Sequence, residues 1–116
     1  MELQDTIFGA IRQVMPADAR MDIHPSLSTF YVSVAWPLND EPERPNKMSK
    51  TISIHVSHEA AQDFANASEP RRSQVHNRVE RYLRTRLAAF DPKNDTPRHA
   101  PPPVERWDIT TQTLFD

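Results

Sequence analysis

Residues 70–90 read PRRSQVHNRVERYLRTRLAAF, the longest run in the chain with one sustained period. At roughly 100° per residue, Val75, Val79, Tyr82, Leu83, Leu87 and Phe90 gather into one arc, the apolar stripe of a helix laid on a core. Arg71, Arg78, Arg81 and Arg84 fall outside that arc. Arg86 projects near its centre, where a bare guanidinium is costly to bury. Its stem is expected to lie along the core, with its head reaching the rim, a carboxylate or an aromatic face such as a Trp ring. The segment holds six arginines against the single acid Glu80, a balance of +5, whereas the other residues hold eight basic against fifteen acidic side chains.

The stretch just before this helix supplies a sheet. In Lys50–Ser57, Ile52, Ile54 and Val56 alternate strictly with Thr51, Ser53 and His55, so one face of the strand is apolar and the other wet. Such alternation favours an antiparallel sheet covered on one side. Ser57 is placed to cap a helix over 58–67, and Glu59 in its first turn suits the helix dipole. This helix and 70–90 read equally well as one bent helix or two.

Further upstream, residues 2–15 set Leu3, Ile7, Phe8, Ile11, Val14 and Met15 at helical spacing, and Pro16 ends the run. Residues 20–24 alternate as a short strand, and Pro25 and Ser26 mark a turn. In 27–36, Phe30, Val32, Val34 and Trp36 form the core face of a second strand. Two aperiodic, proline-rich loops follow at 37–49 and 91–103. Residues 104–113 alternate through Trp107, Ile109 and Thr111 as a last strand. The expected order is α-β-β-β-α-α-β in a single α+β domain over 1–116. It predicts an antiparallel sheet of three to four strands, with the helices at 2–15 and 70–90 on one face.

Composition narrows the chemistry. The chain has 116 residues, one glycine and no cysteine, with 37% apolar residues. Its mean hydropathy is −0.71. Without cysteine there is no disulfide, thiolate metal site or Cys nucleophile. A lone glycine inside a helical pattern leaves no phosphate-cradling loop and no nucleophile elbow. No apolar run approaches the roughly 18 residues that span a bilayer, and the N-terminus carries Glu2 and Asp5 where an export signal carries Lys or Arg. The expected location is cytoplasmic, with no membrane partner.

His55 and His58 stand three apart, with His24 near if the strands pair. However, one lies on a strand and the other opens a helix, so exposed histidines on a strand face are the better reading than zinc. His76 and His99 stand apart from these. The acidic run DEPE at 40–43 lacks the glycine of a calcium loop and reads as a solvated loop. No spacing sets a Ser, His and acid in a catalytic order. The chain is therefore read as a protein without catalysis and without cofactor or metal.

The stretch NKMSKTISIHVSHEAAQDF, the arginine-rich helix after it and the late Trp107 resemble a group of short proteobacterial proteins that carry no assigned function. That resemblance covers about the second half of the chain and implies no active residue. The helix-β-β-β-helix order is similar in topology to the double-stranded RNA-binding domain. The chain departs from that domain in having no glycine-containing loop between strands and no lysine cluster opening the following helix. Type III secretion chaperones are similar in being small, cytoplasmic, dimeric and mixed α and β, but they end in a helix.

The resulting expectation is a small cytoplasmic bacterial accessory or regulatory module. It would bind an acidic protein partner, or its own copy as a homodimer, through Arg71, Arg78, Arg81 and Arg84. The alternative is a nucleic-acid-binding protein using the same helix.

Overall fold

The computed structural model describes the chain apart from residues 1, 40, 41, 45, 46, 95, 96, 98, 99, 102 and 116. Its elements are α1 (Glu2–Val14), β1 (Arg20–Ser26), β2 (Thr29–Ala35), β3 (Thr51–Val56), α2 (His58–Asn66), α3 (Glu69–Arg72), α4 (Val75–Ala88), β4 (Val104–Ile109) and α5 (Thr111–Phe115). The class is α+β, and the four strands form one sheet in the order β1-β2-β3-β4.

The sheet is mixed, a correction to the purely antiparallel expectation. The β1-β2 and β2-β3 pairs are antiparallel, but β4 runs parallel to β3. The reason lies in the crossover. The 14 residues of α4 span about 21 Å, enough to carry the chain back to the start of β3. There Lys50 N donates to Pro92 O at 3.1 Å and Thr51 N to Pro103 O at 3.0 Å. β4 therefore begins beside the beginning of β3, and a parallel pair follows.

Other boundaries move as well. β1 runs on through Pro25 and Ser26, and the turn falls at Leu27 and Ser28. Pro25 is tolerated because β1 is an edge strand, where a missing N–H breaks no ladder. The last strand stops at Ile109, and residues 111–115 coil into α5, so the expectation that the chain ends in a strand is corrected. The helical stretch after β3 is divided into α2, α3 and α4, with the breaks at Ala67–Ser68 and Ser73–Gln74. Ser57 caps α2 as expected, accepting from Ala60 N at 3.0 Å. The segment 37–49 is pinned at its ends: Pro37 bridges Met48, Ser49 N donates to Trp36 O, and Leu38 N donates to Lys47 O.

One face of the sheet is covered. Met21, Ile23, Phe30, Val32, Val34, Ile52, Ile54, Val56, Trp107 and Ile109 meet α1 (Leu3, Ile7, Ala10, Ile11), α2 (Ala60, Phe64), α4 (Val75, Val79, Leu83) and Leu114 of α5 in one core. Leu87, expected in that core, is only half-buried at its margin, as are Tyr82 and Phe90. Among the described residues no helix covers the opposite face, which carries the polar positions of the four strands. No helix among the described residues is long and apolar enough to cross a membrane.

Candidate functional site: an arginine groove and a polar sheet face

The fold sorts the six arginines into different tasks. Arg72 ties α3 to its neighbours. Its Nε donates at 3.1 Å to Phe64 O, which also accepts from Ala67 N, and its Nη2 donates to Ala65 O at 2.6 Å, so Arg72 covers the carbonyl end of α2. Its guanidinium also lies 5.5 Å from the Phe64 ring centre and 3.4 Å from Glu2. Arg86 meets the expectation for a cation at the apolar arc, lying 5.4 Å from the Trp107 ring centre while its side chain stays exposed. Arg84 is held by Glu80 at 2.7 Å, and His76 approaches the same carboxylate at 3.3 Å. The hydrogen bond from Arg84 holds the Glu80 carboxyl below the usual carboxylate range.

The other three face α5. Arg71 stacks on Phe115 at 4.4 Å. Arg78 and Arg81 line a groove of about 260 Å³ with Tyr82, Thr85, Gln112 and Thr113. Spaced by three residues, they are neighbours on one helix surface. Among the described residues neither guanidinium has an ion pair or hydrogen bond, and no acid lines the groove. Tyr82 closes its floor by donating to Asp108 O at 2.9 Å, and burial pushes its phenol up. Of the four arginines expected as one contact surface, the fold thus brings Arg71, Arg78 and Arg81 to the α5 side and ties Arg84 to Glu80.

A second assembly was not foreseen. The register sets His24, Tyr31, His55 and Asp108 in one row across the bare sheet face, and Asp22, Ser33, Ser53 and Arg106 in the next. The three rings stack, with centres 4.6 Å apart for His24–Tyr31 and 4.7 Å for Tyr31–His55. His24 Nε2 lies 3.0 Å from Ser33 Oγ, His55 Nε2 lies 2.7 Å from Ser53 Oγ, and His58 Nδ1 pairs with Ser28 Oγ. His24 and His55 are half-buried and His58 is exposed, and each has a serine partner. The signal was the Ser-x-His spacing in β3, which puts both side chains on one face. The pairing with Ser33 and Tyr31 needed the register.

A serine bonded to a histidine is the start of a nucleophile and base. Here Ser53 is only 8% exposed, and the carboxylate beside His55 is engaged elsewhere, since Asp108 Oδ1 accepts from Arg106 Nε at 2.9 Å. The arrangement fits a self-satisfied polar ladder better than an acyl-transfer site. Among the described residues no group of three His, Cys, Asp or Glu is placed to hold a metal ion. The DEPE run at 40–43 is described only in part, since Asp40 and Glu41 lie outside the described residues, as does His99.

Burial lowers the His55 pKa from 6.5, Arg106 lowers it further, and Asp108 opposes both. The folded state thus prefers neutral imidazole. That preference stabilises the fold above the unfolded value near 6.5 and is lost as pH falls from there toward the folded pKa. Thermal unfolding between pH 7.5 and 5.5 should therefore show a falling midpoint whose slope flattens in His55→Gln. An unchanged slope in that variant would place the acid sensitivity elsewhere.

Comparison with protein-family models found no match, and comparison with curated proteins and with solved structures likewise found none.

Proposed function

We propose that this is a cytoplasmic protein-binding module without catalysis, and that its α4–α5 groove takes an acidic segment of a protein partner. The observation that carries this reading is the pair Arg78 and Arg81, set side by side over a groove that no described acid lines. Two guanidinium forks about one helical turn apart match two carboxylates at similar spacing, each pair bidentate. Gln112 adds an amide donor, and Arg71 on Phe115 extends the positive edge. The acidic segment could belong to a second copy of the chain, which carries more acids than bases outside residues 70–90.

The footprint weighs against the nucleic-acid alternative. Two to three available arginines give a log–log salt slope of about −1.8 to −2.7, too shallow for duplex binding at physiological salt. The aromatic rings of the sheet face stand in a mutual stack and leave few ring faces for bases.

The test compares the full chain with an Arg78→Glu, Arg81→Glu variant and an Arg84→Glu control, by pull-down from host lysate with nuclease treatment and by sedimentation. The groove variant is expected to weaken capture of an acidic protein, or self-association, at least about tenfold, a loss of about 1.4 kcal/mol. The control should retain it. Capture that survives groove reversal, or that nuclease abolishes, would sink the reading.

A further inference from the structure

Apart from the arginine groove, the bare sheet face ends in a trough of about 400 Å³ at the C-terminal end of β3, beside the β1–β2 turn. Arg106, His55 and His58 line it together with the hydroxyls of Ser26 and Tyr31. The two imidazoles come from different elements, β3 and the first residue of α2, and each has one ring nitrogen engaged by a serine, Ser53 or Ser28. Among the described residues the other nitrogen of each has no partner and is available to a ligand. Thr29 and Ser57 add nothing, because Thr29 Oγ1 donates to Val56 O at 2.6 Å and Ser57 caps Ala60 N. The helix end is likewise engaged by its own cap.

We propose that this trough is a proton-coupled site for a tetrahedral oxyanion, such as the phosphoryl group of a phosphate monoester. Three potential cations converge on it against one carboxylate, and that carboxylate already accepts from Arg106 Nε. Nη1 and Nη2 of Arg106 remain as donors in the fork geometry that suits such a group. With both imidazoles neutral, the Arg106–Asp108 pair leaves the trough without net charge. Each proton taken by His55 or His58 makes it cationic. The groups facing His55 are Tyr31 from β2 and Arg106 and Asp108 from β4, and the depression of its pKa by Arg106 is the repulsion a bound anion would relieve. Binding and protonation therefore reinforce one another, and by linkage each raises the other to the same degree.

The turn that follows Ser26 bears on what the oxyanion is attached to, although its Leu27 does not itself line the trough. Leu27 sits in the turn between Ser26 and Ser28 with φ 46 and is fully exposed. A branched side chain in the left-handed region, offering its apolar surface to water, is a strained feature with no packing role. An apolar body attached to the oxyanion would cover it.

The experiment follows the imidazole Cε1–H signals of the full chain by NMR between pH 5 and 8, in sulfate and in chloride at equal ionic strength. Sulfate keeps its charge over this range, so any coupling belongs to the protein. Sulfate is expected to raise the apparent pKa of His55 and to displace the His58 signal, with the His76 signal unmoved. A rise of one unit in one histidine corresponds to about a tenfold gain in affinity on acidification. Arg106→Gln, an exposed position, should abolish the effect with the fold intact. A parallel titration at pH 6 with phenyl phosphate against inorganic phosphate identifies the source. Tighter binding of the phenyl ester, lost in Leu27→Asn, supports an oxyanion carried on an apolar body, whereas equal binding supports the free ion. No sulfate-specific shift, an equal shift in all histidines, or a shift that survives Arg106→Gln would overturn the site.

Discussion

Replacing Trp107 by Ala is expected to lower the free energy of unfolding by about 3–5 kcal/mol, the range for large aromatic truncations in a core that does not collapse. Trp107 is fully enclosed, although β4 is an edge strand. Its ring meets Phe90 edge to face at 5.9 Å, and Phe90 in turn meets Trp36 at 5.8 Å, so the Phe90 ring just past α4 links Trp107 of β4 to Trp36 just past β2. Its Nε1 donates to Glu105 Oε2 at 2.6 Å, and Arg86 covers it from α4. Trp107→Phe should lose less than Ala, because part of the volume remains while the donor to Glu105 is gone. Urea unfolding measures both, with the slope against denaturant unchanged if only the native state is affected. A loss below about 1 kcal/mol for the alanine variant would contradict the enclosed position. A double-mutant cycle with Arg86→Ala should return a coupling of about 0.5–1 kcal/mol for the cation over the ring.

Leu83→Ala is expected to cost about 2–5 kcal/mol, for a different reason. Leu83 lies on the middle turns of α4, fully buried in the core that also takes Ile7 and Ile11 from α1. Leu87, one turn later on the same face, is only half-buried near the end of the helix. Its truncation exposes a site that water already reaches, so Leu87→Ala should cost under about 1.5 kcal/mol. The pair tests how α4 is phased. Equal losses, or a larger loss at Leu87, would mean that the helix is rotated from the arrangement described above. Neither variant touches Arg78 or Arg81, so a partner that binds the groove should still bind both at temperatures where they remain folded.

These two residues also mark how far local pattern carries. The burial of Leu83 follows from a period of 3.6 in residues 70–90, since a helix with one apolar stripe has one way to lie on a core. The strict alternation of Ile52, Ile54 and Val56 likewise implies a sheet with one covered face, and Phe30, Val32 and Val34 extend it. The position of Arg86 in the apolar arc called for a head at the rim, or against a carboxylate or an aromatic face, and its exposed guanidinium lies over Trp107. Each of these inferences concerns neighbours along the chain or a face defined by a fixed repeat.

Where elements far apart in sequence had to meet, the same patterns were silent. The direction of β4 depended on where α4 set the chain down, and no residue in Val104–Ile109 encodes that. The four helix-surface arginines look alike by period, yet Glu80 engages Arg84, and α5, built from residues that alternate like a strand, shapes the groove around Arg78 and Arg81. His24, Tyr31 and His55 lie on three strands, and only the register stacks them. The sequence by itself therefore determined α1, the core strands and the buried stripe of α4, because periodicity and burial are local consequences of backbone geometry, but it left α5, the division of α2 from α4 and the margin at Leu87 to the packed fold. The tertiary structure alone decided the strand direction, the groove and the histidine trough, because each is a juxtaposition across elements, set by the packing of the whole core.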